Sequence, residues 1–259
     1  MSDVMDYPLL VFVLSFLVLW LSAWLGVSFL RTQLKLQEAI REDFGLILAA
    51  TLTLLGLIIG FSFSMATSRY DQRKNYEEAE ANAIGTEYLR AGLLPAEDAA
   101  KVRALLRNYV DQRVLFYVAR DEQQLRQINA RTAQLQAELW AAVLAPAAAK
   151  PTPVIALAVS GMNDVLNSQG YTQAAWWNRI PAAAWILMAA IAICCNVLVG
   201  YRAQDVKAEA VLLLVLPLVV SISFFLIADI DSPRGGLIRV NPQNLESLVE
   251  SLRAPIGKP

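Results

Sequence analysis

Four stretches of this chain contain no Asp, Glu, Lys or Arg: residues 7–30, 44–68, 180–201 and 210–228. No other feature limits the possible folds as strongly. A run of about 18 or more apolar residues crosses the hydrocarbon of a bilayer as a helix, because roughly 20 residues at 1.5 Å each cover its thickness. All four stretches reach that length. One of them could be a buried helix of a soluble domain, but four in one chain define an integral membrane protein. Composition agrees: 17% of residues are charged, against about 25% in soluble domains.

The first stretch reads as a spanning helix and not as a cleaved signal. The segment before it, "MSDVMDY", is acidic where a signal is basic, and its apolar run exceeds the 7–15 residues of a signal core. Pro8 falls in the first turn, where a missing N–H costs nothing. The second helix begins near Phe44 and meets no stop at the membrane surface. "RYDQRKNYEEAEANAIGTEYLRAGL" follows without a proline, so one long helix is predicted to end near Gly92–Pro95.

Beyond Pro95, Val102, Leu105, Leu106, Tyr109, Val110, Val114 and Tyr117 form one apolar stripe at helical spacing. Leu125, Ile128, Leu135, Leu139 and Val143 form another, with Asp121 as its N-cap. "PAAAKPTP" at 146–153 predicts a break, and a further helix is expected over about 154–169, ending near Gly170. Residues 69–179 are therefore expected to form a helical bundle outside the membrane. Trp176, Trp177 and Trp185 fit an interfacial belt before the third spanning helix. Pro217 should kink the fourth, and residues 229–259 form an extramembrane tail. The predicted fold is all-α, with four transmembrane helices and an extramembrane helical bundle between helices two and three.

Orientation is left open. The short links, 31–43 and 202–209, carry Arg31, Lys35, Arg41, Arg202 and Lys207, whereas Arg69, Arg73, Lys74, Arg179, Arg234 and Arg239 flank the opposite side. The positive-inside rule is close to a tie.

Several functions are excluded. The chain has no histidine, so it has no Ser-His-Asp triad and no His-ligated metal site. It carries no phosphate-binding glycine loop and no nucleophile elbow. Cys194 and Cys195, adjacent within the third spanning helix, read as small packing residues. Asn196, the one amide in that helix, is not a convergent polar site. A net charge of −1 provides no field for nucleic acid. No catalysis, cofactor or metal is expected. The acids Glu77, Glu78, Glu80 and Glu87 alternate with Arg69, Arg73 and Lys74 and read as a solvated helix face.

Two features remain as candidates. Thr53, Gly56, Gly60, Ser64 and Thr67 are spaced 3, 4, 4 and 3, one stripe of small or polar residues down the second spanning helix. Such a stripe permits close helix packing, or it lines a water-filled path with Ile59 and Phe63 as an apolar gate. Asp229, Asp231 and Arg234 lie where the fourth helix leaves the membrane, before Gly235–Gly236. They fit a solvated helix end, an ion pair with a basic residue across a subunit interface, or charge at a pore mouth. Acids at a helix C-terminus oppose its dipole, which argues against an idle role.

The layout resembles the bacterial bestrophin-like family of unknown function. "SRYDQRKNYEEAEANAIGTEYLRAGLLP" resembles that family's segment after helix two, and "DSPRGGLIRV" its end to helix four. True bestrophins are similar in layout and are pentameric anion channels whose second helix lines a neck. The resemblance therefore implies a homo-oligomer, a pentamer on this ground alone, that passes a small inorganic ion. Ile59, Phe63 and the Gly56–Gly60–Ser64 stripe would lie near its axis, in the bilayer of the bacterial inner membrane. It also implies a cytoplasmic bundle. No bestrophin calcium clasp is recognisable. The alternative is a non-conducting sensor or scaffold that presents its helical bundle to a partner.

Overall fold

The computed structural model describes residues 5–30, 38–203 and 210–253. Among them are eight α-helices and no strand. These are α1 (Pro8–Leu25), α2 (Glu38–Arg90), α3 (Ala96–Val118), α4 (Glu122–Ala149), α5 (Pro153–Trp177), α6 (Ala182–Arg202), α7 (Ala210–Asp231) and α8 (Gln243–Arg253). Four helical stretches are long and apolar enough to cross a membrane.

The local signals explain most boundaries. α1 starts with Pro8 in its first turn and closes in a π-helical turn, Gly26–Leu30. α2 runs for 53 residues with no proline inside it, about 80 Å at 1.5 Å per residue. It tightens into a 3₁₀ turn, Ala91–Leu93, and Pro95 then occupies the N-cap of α3. The Asp121 carboxylate accepts from Gln124 N at 2.8 Å and caps α4. Thr152 Oγ1 accepts from Ile155 N and caps α5, with Pro153 in its first turn.

The break expected at 146–153 occurs but is confined to 150–152, and the helix end expected near Gly170 does not occur. α4 continues through Pro146 to Ala149. The proline costs one intrahelical bond close to the helix end, and its ring is buried against the bundle. α5 continues through Gly170 to Trp177. Thr172, Ala175 and Trp176 of the next two turns are buried, so tertiary packing holds a helix that glycine alone weakens by only about 1 kcal/mol. α2 is already helical at Glu38, ahead of Phe44, and α8 arises in what read as a plain tail. Of the predicted links, Arg31, Lys35 and Lys207 lie outside the described residues.

The chain divides into two compact units. The membrane unit comprises residues 1–70 and 179–239, and the bundle unit residues 71–178 and 240–259. In the membrane unit α1 packs against α6 and α7, around a core that includes Leu19, Leu55, Met188, Phe224 and Ile227. The approach of α1 to α6 is a backbone contact. A Cβ added at Gly200 would run into the Ala23 carbonyl, and one at Gly26 into the Val197 carbonyl. Small residues let helices in lipid come this close. In the bundle unit α4 packs on α3 and α5, and α8 lies on α3. Val102, Leu106, Tyr109, Leu135, Leu139 and Val143 of the two predicted stripes are buried between these helices.

Candidate functional site

The α2 stripe lies on the outside of the membrane unit. Leu48, Leu55, Ser62 and Ala66 form the buried face of this part of α2. Thr53, Gly56, Gly60 and Ser64 are exposed, and Thr67 is half-buried. At 100° per residue the stripe is centred about 140° from the buried face. A Cβ added at Gly56 or Gly60 would meet nothing within 4 Å. Thr53 and Thr67 return their hydroxyls to the carbonyls of Ala49 and Phe63, at 2.9 and 3.0 Å. Those bonds satisfy the polar groups without a partner helix. Phe63 is 43% exposed, and Ile59 is partly buried against the core. The apolar window of this helix is 11% buried, against 28%, 28% and 44% for the other three spans.

The acids at the end of α7 are buried. The Asp231 carboxylate accepts from Arg179 Nε at 3.2 Å and from the Ile180 backbone N–H at 3.2 Å. Arg69 lies 3.6 Å from it. Arg179 also binds Asp6. Asp229 accepts from the backbone N–H groups of Leu237 and Ile238, at 2.7 and 2.8 Å. The Gly236 backbone comes so close to the Asp229 carbonyl that a Cβ there would collide with it. Asp229 therefore folds the "DSPRGGLIRV" turn back onto the helix end. Arg234 is half-buried in that turn.

The charged run after the membrane window differs from the expected solvated face. Glu78 is exposed, but Glu77, Glu80 and Glu87 are buried, as is Arg73. Arg73, Glu77, Glu80, Ile84, Glu87 and Ala91 follow one another at spacings of 4, 3, 4, 3 and 4, a single seam of α2 facing the bundle. That period was present in the sequence, hidden because most of its members are ionisable.

Each charge on the seam but one has partners. Arg73 donates to the Ala175 and Asn178 carbonyls. Glu77 accepts from Asn244 Nδ2 at 2.6 Å and from Leu245 N at 2.9 Å, and so caps α8. Glu80 pairs with Arg113 and accepts from Thr172 Oγ1 at 3.1 Å and Tyr117 Oη at 3.5 Å. Burial works against the Arg113 charge, but Glu80, with Tyr109 and Tyr117, outweighs it and holds the guanidinium above its ordinary pKa. Burial, and then the Glu80 charge, pushes the phenols of Tyr109 and Tyr117 up. The exception is Glu87, with neither oxygen hydrogen-bonded.

Other features stand apart from the stripe. A cleft of about 710 Å³ between α4 and α5 is lined by Trp140, Thr152, Ile155, Val159 and Asn163 among others. A cavity of about 250 Å³ in the membrane unit is bounded by Val11, Leu14, Trp185, Ile193 and Phe224. Asn196 is buried and donates to the Ala192 carbonyl at 2.8 Å. Cys194 and Cys195 are free thiols. No group of three or more metal-ligating side chains occurs among the described residues.

Four apolar spans and an all-helical bundle inserted in the chain between the second and third define a polytopic helical membrane protein. A sequence model of the Bestrophin-like domain matches residues 12–245. The chain belongs to the Bestrophin-like family. Among solved structures it is similar to a bacterial bestrophin homologue from Klebsiella pneumoniae, seen in several forms. One substituted form is 14% identical with a TM-score of 0.64, covering 95% of this chain and 98% of the other. A second is 13% identical with a TM-score of 0.61, covering 94% and 99%. The form solved by zinc phasing is 14% identical with a TM-score of 0.61, covering 93% and 95%. No curated protein matches the sequence.

Proposed function

We propose that this protein is a bestrophin-type ion channel of the bacterial inner membrane. It assembles as a homo-oligomer in which the Thr53, Gly56, Gly60, Ser64 and Thr67 stripe of α2 faces a shared axis. One observation carries the reading: the least buried of the four described spans turns this stripe outward, opposite its own core. A lipid-facing surface gains nothing from such residues, whereas a wet path does. Phe63 borders the stripe as its apolar constriction, while Ile59 turns toward the core. Pentameric assembly follows the family's channels. For Asp229 and Asp231 the reading is a brace and not a mouth charge, because both carboxylates are already occupied. Arg234 belongs to the braced turn.

The test is planar-bilayer recording of the purified oligomer in a potassium chloride gradient, with Phe63→Ala and Asp231→Asn beside the wild type. Unitary currents whose open probability rises in Phe63→Ala support the reading. Selectivity that shifts in an intact Asp231→Asn oligomer would return that acid to the pore mouth. Silence of the wild type and of Phe63→Ala, in oligomers shown to be intact, would leave the non-conducting sensor or scaffold.

A further inference from the structure

Glu87 lies on the seam of α2 with no exposed surface, and neither carboxyl oxygen has a hydrogen-bond partner. The position is made by a glycine. A Cβ added at Gly161 of α5 would run into Glu87 Oε2 and crowd the Arg90 side chain. The carboxyl therefore fits between α2 and α5 only because residue 161 has no side chain.

The charges around it do not solvate it. Arg90, one turn further along α2, lies 3.8 Å from Asp164 of α5. Arg103 of α3 donates its Nε to the Tyr88 carbonyl. An ionised carboxylate buried without a donor is strongly disfavoured, so such a group stays protonated or leaves its site. We propose that Glu87 is a proton-operated latch in the bundle: neutral, it lets α5 close on α2 at Gly161, and ionised, it opens that contact. This holds whether or not the protein conducts.

The direction in pH follows from the same geometry. Burial, opposed by Arg90 and reinforced by Asp164, pushes the Glu87 carboxyl up from 4.5 to about 8. Below 4.5 the closed and open forms are both protonated, and opening does not depend on pH. Between 4.5 and about 8 the closed form keeps a proton that the open form has lost. Opening then rises by about tenfold per pH unit. Above about 8 both forms are ionised and opening levels off.

The test is hydrogen exchange of the full chain in lipid nanodiscs from pH 6 to pH 9, corrected for the intrinsic rate and read at 153–170. In the wild type the opening equilibrium is expected to climb by about tenfold per pH unit toward pH 8 and then flatten. Glu87→Gln should be flat, and as protected as the wild type at pH 6. Asp164→Asn should keep a rise. Should Glu87→Gln fold poorly, Gly161→Ala decides, because its methyl takes the place of the carboxyl and should remove the pH dependence. A wild type without pH dependence, a Glu87→Gln variant with the wild-type slope, or a Gly161→Ala variant indistinguishable from wild type would each overturn the latch. Infrared titration supplies an independent reading: a protonated-carboxyl band at pH 6, lost near pH 8 and absent from Glu87→Gln. Its absence from the wild type would overturn the proposal.

Discussion

Glu80 of α2 and Arg113 of α3 are paired with no exposed surface on either side chain. The ring of Phe116 lies 4.5 Å from the guanidinium, and Thr172 and Tyr117 occupy the remaining carboxylate positions. Two charges at the centre of a small bundle stabilise it only as a pair. Removing one leaves the other buried and uncompensated. Arg113→Ala and Glu80→Ala should each destabilise the bundle unit by about 3–5 kcal/mol. The double variant Glu80→Leu/Arg113→Met should recover most of that loss. Denaturant unfolding of the full chain, followed by tryptophan fluorescence, gives the comparison. Additive losses in the double variant would contradict the pairing.

The glycines of the membrane unit separate into two kinds. Gly26→Val and Gly200→Val force side chains into the backbone of the facing helix and should cost about 1–3 kcal/mol or more, as overpacking does. Gly56→Ala and Gly60→Ala meet open space and should leave the fold unharmed, or gain up to about 1 kcal/mol from helix propensity. Thermal unfolding in detergent distinguishes the two pairs. Gly60→Ala should nevertheless change unitary current if the stripe faces a pore.

Asp231 holds the first residues before α6 to the last turn of α7 through Arg179 and the Ile180 N–H. Asp231→Ala strands both donors and should destabilise the membrane unit by about 3 kcal/mol. Arg179→Ala should cost less, since Arg69 still lies near the carboxylate. Limited proteolysis at Arg179, Arg234 and Arg239 should accelerate in Asp231→Ala and only weakly in Arg179→Ala. Equal sensitivity would point to the Asp6–Arg179 pair as the main brace.

Tyr109 and Tyr117 should resist ionisation in alkali. Both folded phenols are raised above their ordinary value of 10, first by burial and then by Glu80. The folded state thus keeps protons that the unfolded chain loses above pH 10. This contribution is fully present below pH 10 and is lost as pH rises further. In an ultraviolet titration of the eight tyrosines, at least these two should appear as phenolate only with unfolding. Arg113→Met should unfold at lower pH, because it starts from a less stable fold in which the buried Glu80 has lost its counter-charge.

The membrane class, the four spans, the uninterrupted α2 and the cap at Asp121 are all legible from the order of residues. Each follows from chemistry carried by neighbouring residues: charge-free length, helical period, a capping oxygen. The α2 stripe was legible for the same reason, since residues three and four apart share a face wherever the helix is placed. Tertiary structure decided which face met the core. It placed Leu55, Ser62 and Ala66 inward and left Gly56 and Gly60 open, while the close helix contact fell to Gly26 and Gly200, whose partners Val197 and Ala23 lie far away in the chain. It also carried α4 past Pro146 and α5 past Gly170, where packing outweighed local breakers. Most of all it buried Arg73, Glu77, Glu80 and Glu87. An ionisable residue reads as solvated until its partner is known, and Arg113, Thr172, Asn244 and Gly161 come from helices far along the chain. No local pattern encodes a counter-charge that only folding supplies.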